Sequence, residues 1–360
     1  METANPPDAV AVLRCARRQV RSRTRSASYY AAADHFSEMF LGRPFHLEPG
    51  YYRAVGTDYS VIDWFYEELG SGGEEALETL ATVTQRLQEM AEPVSAAAAL
   101  EPLHEALEEP GCDVLDVCRA LQGAITVLGH EALRGWSSPG LADAWLRLWQ
   151  DVLWRQNSQQ ARLNQLSRVL RAPPEDQPRL MSALGLSPDD MSLQATDFTQ
   201  GLHAYLEKYS ETGAASVALV GGLPFSRALS REGLEELLQL LTEEPAFLAR
   251  LSRLLRLAQD VRFDPSEPLN TGVAGYAAEH HLRLVDVDAR RLPQEELDSR
   301  LKAEWHAYQA ESRGYFEAQV AWREDETLQG SLRTFVDNLH ALASRLARQG
   351  HEADPLKRAG

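Results

Sequence analysis

The apolar residues of this 360-residue chain recur at the spacing of an α-helix over most of its length. Between residues 141 and 170 they predict one long helix or two, and between 247 and 258 they predict another. Steps of three and four residues place such side chains on one helix face. Two more stretches of this kind lie near the C-terminus and comprise Leu297, Leu301, Trp305 and Tyr308, then Leu328, Leu332, Phe335, Leu339, Leu342 and Leu346.

Strand signals are nearly absent from the sequence. No apolar-polar alternation runs long enough before a tight turn to indicate a hairpin. The most strand-like segment, residues 281–289, has no candidate partner and is interpreted as a connection or a helix end. The pattern therefore predicts an all-α protein, a single large bundle of roughly a dozen helices.

The two ends of the chain differ in composition from its body. Six arginines and no acidic residue lie between Arg14 and Arg25, in a segment without an evident apolar stripe. Residues 1–26 are therefore predicted to form a mobile basic arm, although such a start is also typical of an organelle transit peptide. The helical domain is predicted to span residues 27–348. The polar residues 349–360 are predicted to be a disordered tail.

Charge and cysteine content exclude some classes of function. The formal net charge of -17 argues against a general nucleic-acid-binding protein, which needs clustered Lys and Arg. Only three cysteines occur, namely Cys15, Cys112 and Cys118, and a low odd number favours a reducing, cytoplasmic setting. No apolar run reaches the roughly 20 residues of a membrane span. A homodimer is left open.

Three carboxylates follow the apolar helix at 247–258. Asp260 and Asp264 are one turn apart and Glu267 lies nearly two turns after Asp260. Hard cations such as Mg²⁺ take oxygen ligands from one or two carboxylates together with substrate phosphates. Pro265 interrupts the segment, so the alternative interpretation is a solvated helix end.

The order of segments around these carboxylates resembles the C-terminal half of class I terpene synthases. Residues 205–225 form a predicted helix interrupted by glycines, and a short helix, the apolar helix and the carboxylates follow. The resemblance covers Tyr205 to about Gln309. It implies a Mg²⁺-dependent enzyme that ionises a prenyl diphosphate and guides cyclisation of the carbocation. Lys208 is nearest to the family's diphosphate-sensing arginine, and Arg333 lies near its late Arg-Tyr pair, while Glu267 comes one residue earlier than the family's third ligand.

Such an enzyme needs a second acidic motif facing the first. Asp63 and Glu67 are one helical turn apart, and the resemblance gives them the role of Mg²⁺ ligands. The aromatic faces of Trp64 and Tyr66 would then stabilise the carbocation. The alternative acidic pair is Asp113 and Asp116.

Two other classes of function compete with the enzyme. A non-catalytic helical interaction or scaffold protein would explain the same acids as surface residues and the same aromatic residues as core. A helical haem or iron oxygenase is a further alternative, because Glu101 and His104 have the spacing of di-iron helices, although no second copy occurs.

Overall fold

A computed structural model describes residues 8–23, 85–86, 89–134, 140–187, 198–213, 215–225, 231–260 and 294–321, together with single positions between 329 and 344. Within these ranges the chain forms ten α-helices, two short 3-10 turns and no strand, which confirms the all-α class. The helices are α1 (Ala9–Arg23), α2 (Pro93–Glu108), α3 (Val114–Arg134), α4 (Leu141–Arg171), α5 (Gln177–Ala183), α6 (Phe198–Tyr209), α7 (Ala215–Gly222), α8 (Arg231–Glu243), α9 (Pro245–Asp260) and α10 (Gln294–Ala321).

The helices divide into two compact units, so the single large bundle predicted from the sequence is not confirmed. Unit 1 contains the described residues up to Ser158 and the stretch Ser216–Glu244. Unit 2 contains Gln159–Ala215 and the described residues from Pro245 onward. None of the helices that the structure describes has the length and apolar content needed to cross a bilayer.

The core of unit 1 is built around two tryptophans of α4. Trp145 and Trp149 are both fully buried and their rings stack with centroids 6.0 Å apart. Each indole N–H is satisfied: Trp145 Nε1 donates to the Val220 carbonyl at 2.8 Å, and Trp149 Nε1 donates to Thr126 Oγ1 at 2.9 Å. Buried indoles need such acceptors, so these two bonds fix α4 relative to α3 and α7 inside unit 1.

Helix α1 differs from the sequence-based expectation for residues 1–26. Asp8 caps it, since Asp8 Oδ1 accepts a hydrogen bond from the Val10 N–H at 3.0 Å. Its buried residues Ala9, Val12, Leu13 and Ala16 have the spacing of one helix face, and α1 packs against α2 and α3. The prediction that this segment lacks an apolar stripe was therefore wrong. The buried residues are few and mostly small, and the arginines between them lower the average hydropathy of the segment, so the stripe is hard to see in the sequence.

Unit 2 is organised around α9, which packs against α6, α10 and the 3-10 turn Ser210–Gly213. Its apolar face is fully buried and consists of Phe247, Leu248, Leu251, Leu254, Leu255 and Leu257. On the edge of that face, Arg250 lies over the Tyr315 ring at 4.8 Å and donates to Glu311 Oε1 at 2.8 Å. Glu304 of α10 accepts a hydrogen bond from Thr199 Oγ1 of α6 at 2.7 Å, which joins these two helices.

Candidate metal site

Three side chains able to ligate a metal ion meet between two helices of unit 1. Cys15 lies on α1, and His104 and Glu108 lie one turn apart on α2. One ligand atom from each, the thiol sulfur, an imidazole nitrogen and a carboxylate oxygen, lies within 4.8 Å of the other two. In the part of the chain that the structure describes, this is the one group of three or more His, Cys, Asp or Glu side chains in such an arrangement.

The register of α1 against α2 is set one turn beyond Cys15. Gln19 follows Cys15 by four residues and therefore lies on the same face of α1. Its Nε2 donates a hydrogen bond to the Leu107 carbonyl at 2.6 Å. Leu107 is in the last turn of α2, where backbone carbonyls have no partner within the helix. This bond satisfies one of them and holds the thiol of Cys15 opposite His104 and Glu108.

The group runs from the interior of unit 1 to its surface. Cys15 is buried, His104 is half-buried and Glu108 is exposed. Arg18 Nη2 donates to the sulfur of Cys15 at 3.2 Å, and its positive charge would offset that of a metal-bound thiolate. An ion would therefore be held by sulfur on its inner side and would remain reachable from solvent on the Glu108 side.

The C-terminal end of α2 is electrostatically suited to a cation. Glu105 and Glu108 lie in its last turn, Glu109 is the C-cap residue, and no basic residue occurs in that turn. Carboxylates at this end of a helix are disfavoured by the negative pole of the helix dipole. A cation bound beside Glu108 would offset both the carboxylate charge and the dipole.

The donor set matches a transition metal better than magnesium. Thiolate and imidazole are ligands of Zn²⁺ and of other first-row transition-metal ions such as Co²⁺, whereas Mg²⁺ takes oxygen ligands in octahedral geometry. Around tetrahedral Zn²⁺, sulfur and nitrogen ligands lie about 3.5 Å apart. The ligand atoms lie within 4.8 Å of one another, so any closer approach on binding is small, and the rotamers of the exposed Glu108 and half-buried His104 allow it. Three protein ligands leave a fourth position for water or substrate.

Most of the residues assigned from the terpene synthase resemblance lie outside the described residues. They are Asp63, Trp64, Tyr66, Glu67, Asp264 and Glu267. Asp260 is the last residue of α9, in agreement with a helix that delivers it to its end. Lys208 is exposed in the last turn of α6, and Arg333 is exposed with its Nη2 donating to Gln329 Oε1 at 3.3 Å. Their roles toward a diphosphate stay predictions.

The alternative acidic pair has local structural roles. Asp113 Oδ1 accepts a hydrogen bond from the Leu115 N–H at 3.2 Å, as a helix-capping residue does at the start of α3. Asp116, in the first turn of α3, pairs with Arg119 at 3.6 Å. Both interactions stabilise the beginning of a helix. Neither carboxylate belongs to a three-ligand group among the described residues.

The sequence analysis singled out His104 but not the site to which it belongs. Its partner Glu108 was readable from the four-residue spacing on a helix, which places both side chains on one face. Cys15 was not readable, because it lies far away along the chain in a segment interpreted as a free arm. Comparison of the chain with protein-family models, with curated proteins and with solved structures finds no match.

Proposed function

We propose that this protein binds a divalent transition-metal ion through Cys15, His104 and Glu108, and that Zn²⁺ is the ion that fits these ligands best. The observation that carries the proposal is the convergence of sulfur, nitrogen and oxygen donors from two helices to within 4.8 Å of one another. Sulfur, nitrogen and oxygen donors together are typical of sites for zinc and other first-row transition metals, and they are atypical of magnesium sites.

Each residue has a distinct part in the proposed site. The sulfur of Cys15 anchors the ion from the interior, with Arg18 balancing its charge. His104 supplies a neutral nitrogen, and Glu108 adds a negative charge at the solvent side. The bound ion would supply a Lewis-acid centre with one position open to water or substrate. Because the ligands belong to α1 and α2, binding also links these two helices.

Cobalt provides a direct test, since Co²⁺ substitutes for Zn²⁺ and a thiolate ligand gives it a near-ultraviolet charge-transfer band. We expect that band when Co²⁺ is added to the reduced protein, and its loss in Cys15→Ser. His104→Gln and Glu108→Gln each lose a ligand, so each should weaken Co²⁺ affinity by at least the roughly 10–100-fold that follows when only a hydrogen-bond partner of a metal ligand is altered. Zn²⁺ should raise the melting temperature of the parent protein, because it binds the native state.

Matched controls separate ligation from general disturbance. Cys118→Ser changes another buried cysteine, and Glu131→Gln changes an exposed carboxylate of α3 that lies outside the last turn of α2. Both variants should bind Co²⁺ as the parent does. A band that survives in Cys15→Ser, or that is lost equally in Cys118→Ser, would overturn the proposal.

The second candidate function is Mg²⁺-dependent ionisation of a prenyl diphosphate, as the resemblance to class I terpene synthases implies. The order of elements favours it. Helix α6 gives way after Tyr209 to a 3-10 turn, α7 ends at Gly222, and α9 delivers Asp260 at its last position. The resemblance implies a broken helix, a short helix and a metal-binding helix in this order, and the order of elements supports the candidate to that extent.

This candidate predicts binding of Mg²⁺ together with pyrophosphate. The pair should raise the melting temperature of the parent protein, because it binds only the native state. Asp260→Asn should remove that increment without altering ligand-free stability, and Asp151→Asn, an exposed carboxylate of α4, should retain it. Cys15→Ser should also retain it, which distinguishes this site from the transition-metal site. Absence of any shift in the parent at millimolar ligand would contradict the candidate.

A further inference from the structure

A cavity of about 260 Å³ lies in unit 1, away from the metal site. One wall is a face of α4 formed by residues at steps of three and four, and the other is the chain that leads into α2. The lining residues are Ala91, Glu92, Gln150, Leu153, Trp154 and Asn157. The volume falls just below the roughly 300–1,000 Å³ of sites for drug-sized ligands, so a smaller molecule fits it.

One residue that lines the cavity is a buried amide without a partner among the described residues. Asn157 is 2 % exposed, and among the described residues its Nδ2 makes no hydrogen bond. Buried amide donors are nearly always paired, because an unpaired donor loses its hydration and gains nothing. Since Asn157 lines the cavity, a ligand carrying a hydrogen-bond acceptor would satisfy Nδ2.

The mouth of the cavity carries a carboxylate that has no capping role. Glu92 is the N-cap residue of α2, yet its side chain makes no capping hydrogen bond. Its backbone carbonyl accepts from the Ala96 N–H at 2.8 Å, and Pro93 opens the helix. Gln150 Nε2 donates to the Ala91 carbonyl at 3.3 Å and so holds this chain segment against α4. The carboxylate of Glu92 is thus positioned and left available for a cation.

The third component of the site is an exposed indole. Trp154 is 54 % exposed, whereas Trp145 and Trp149 of the same helix are fully buried. Trp154 and Val94, which is two residues beyond Glu92, are the large apolar residues that the described part of the chain leaves exposed. An indole face attracts organic cations through the ring quadrupole, and most strongly when water is excluded.

From these three groups, we infer that the cavity binds a small organic cation that carries one hydrogen-bond acceptor. The alkylated ammonium group lies against Trp154 with Glu92 as its counter-charge. The acceptor, such as a carbonyl or carboxylate oxygen, reaches inward to Asn157 Nδ2. The size of the cavity favours one acyl or carboxyl group beside the ammonium group and leaves no room for a long chain.

The inference is tested on the full chain with acetylcholine as the probe, by isothermal titration calorimetry. Its uncharged isostere, in which a tert-butyl group replaces the trimethylammonium group, serves as the matched ligand. We expect acetylcholine to bind in the millimolar range or tighter and the isostere to bind several-fold more weakly. Equal affinity for the two, or no heat with acetylcholine at millimolar concentrations, would overturn the inference.

Variants assign the three groups separately. Trp154→Leu keeps an apolar surface but loses the quadrupole, and should weaken acetylcholine binding by roughly three- to tenfold. Glu92→Gln should weaken acetylcholine and leave the isostere unchanged, whereas Glu101→Gln, an exposed carboxylate two to three turns along α2, should change neither.

Asn157→Leu provides the last test, because it should affect stability and ligand binding in opposite directions. It removes a buried unpaired donor, so the melting temperature should stay level or rise, while binding of both ligands should fall. A variant that is stable and binds as the parent does would contradict the role given to Asn157, and with it the inference.

Discussion

His340 is a buried histidine whose neighbours do not satisfy it. It is 4 % exposed, its ring meets Phe316 edge-on at 5.8 Å, and among the described residues neither ring nitrogen has a hydrogen-bond partner. Burial lowers its pKa below the ordinary value, and the positive charge of Arg313 acts in the same direction. Glu317 and Asp337 raise the pKa but are outweighed. The native state of unit 2 therefore holds this side chain in its neutral form.

This pKa shift predicts how stability depends on pH. In the unfolded chain the histidine takes up a proton near pH 6.5, while the folded protein does so only at lower pH. The unfolding free energy should thus decrease as pH falls below about 6.5, until the folded pKa is passed. His340→Leu should remove this part of the dependence and raise stability by about 1 kcal/mol at mildly acidic pH.

Denaturant titrations across the pH range measure this effect. His306→Gln serves as the control, because His306 is another histidine of unit 2 but is exposed on α10. Identical pH slopes in the parent protein and His340→Leu would show that His340 is not the group responsible.

At the scale of elements, the contact of α3 with α4 depends on a residue without a side chain. A Cβ added at Gly129 would overlap the indole ring of Trp145. Trp145 is fully buried and its Nε1 is bonded to the Val220 carbonyl, so its ring has no room to withdraw. Gly129 therefore allows α3 to approach the tryptophan face of α4.

We expect Gly129→Ala to destabilise the protein by about 1–3 kcal/mol, the usual cost of overpacking a core. Gly314→Ala is the matched control. Gly314 is also inside a helix, but nothing lies within 4 Å of the position that its Cβ would take. That substitution should stabilise by up to about 1 kcal/mol through helix propensity alone. Thermal or denaturant unfolding measures both variants. If Gly129→Ala and Gly314→Ala shifted the free energy of unfolding in the same direction, this account of the α3–α4 contact would be wrong.

The elements themselves were largely readable from the sequence. The segment 141–170 was left as one helix or two, and it is the single helix α4. The helix predicted at 247–258 is α9, with its apolar residues buried. Helix α9 begins at Pro245, two residues before the segment predicted from its apolar residues, because proline is favoured in the first turn of a helix. Thr242 belongs to the last turn of α8, where its Oγ1 donates to the Leu238 carbonyl.

At the scale of the whole molecule, the sequence predicted the fold class but not the partition into units. Helical periodicity tells which face of a helix is buried and says nothing about the helix that covers it. The candidate metal site shows the same limitation, since Cys15 faces His104 only through the packing of α1 on α2. Long-range pairings of this kind follow from tertiary contacts that no local pattern records.

The division into units also has a consequence for the order in which the chain can fold as it is synthesised. Unit 1 begins at the N-terminus, is interrupted after Ser158 by residues of unit 2, and resumes at Ser216. The carbonyl that accepts the indole N–H of Trp145 belongs to Val220, in this second part. A nascent chain emerges N-terminus first, at roughly 5–20 residues per second. The indole N–H of Trp145 must therefore wait for α7 to leave the ribosome before it meets this acceptor, and a fragment ending between 158 and 216 would lack it.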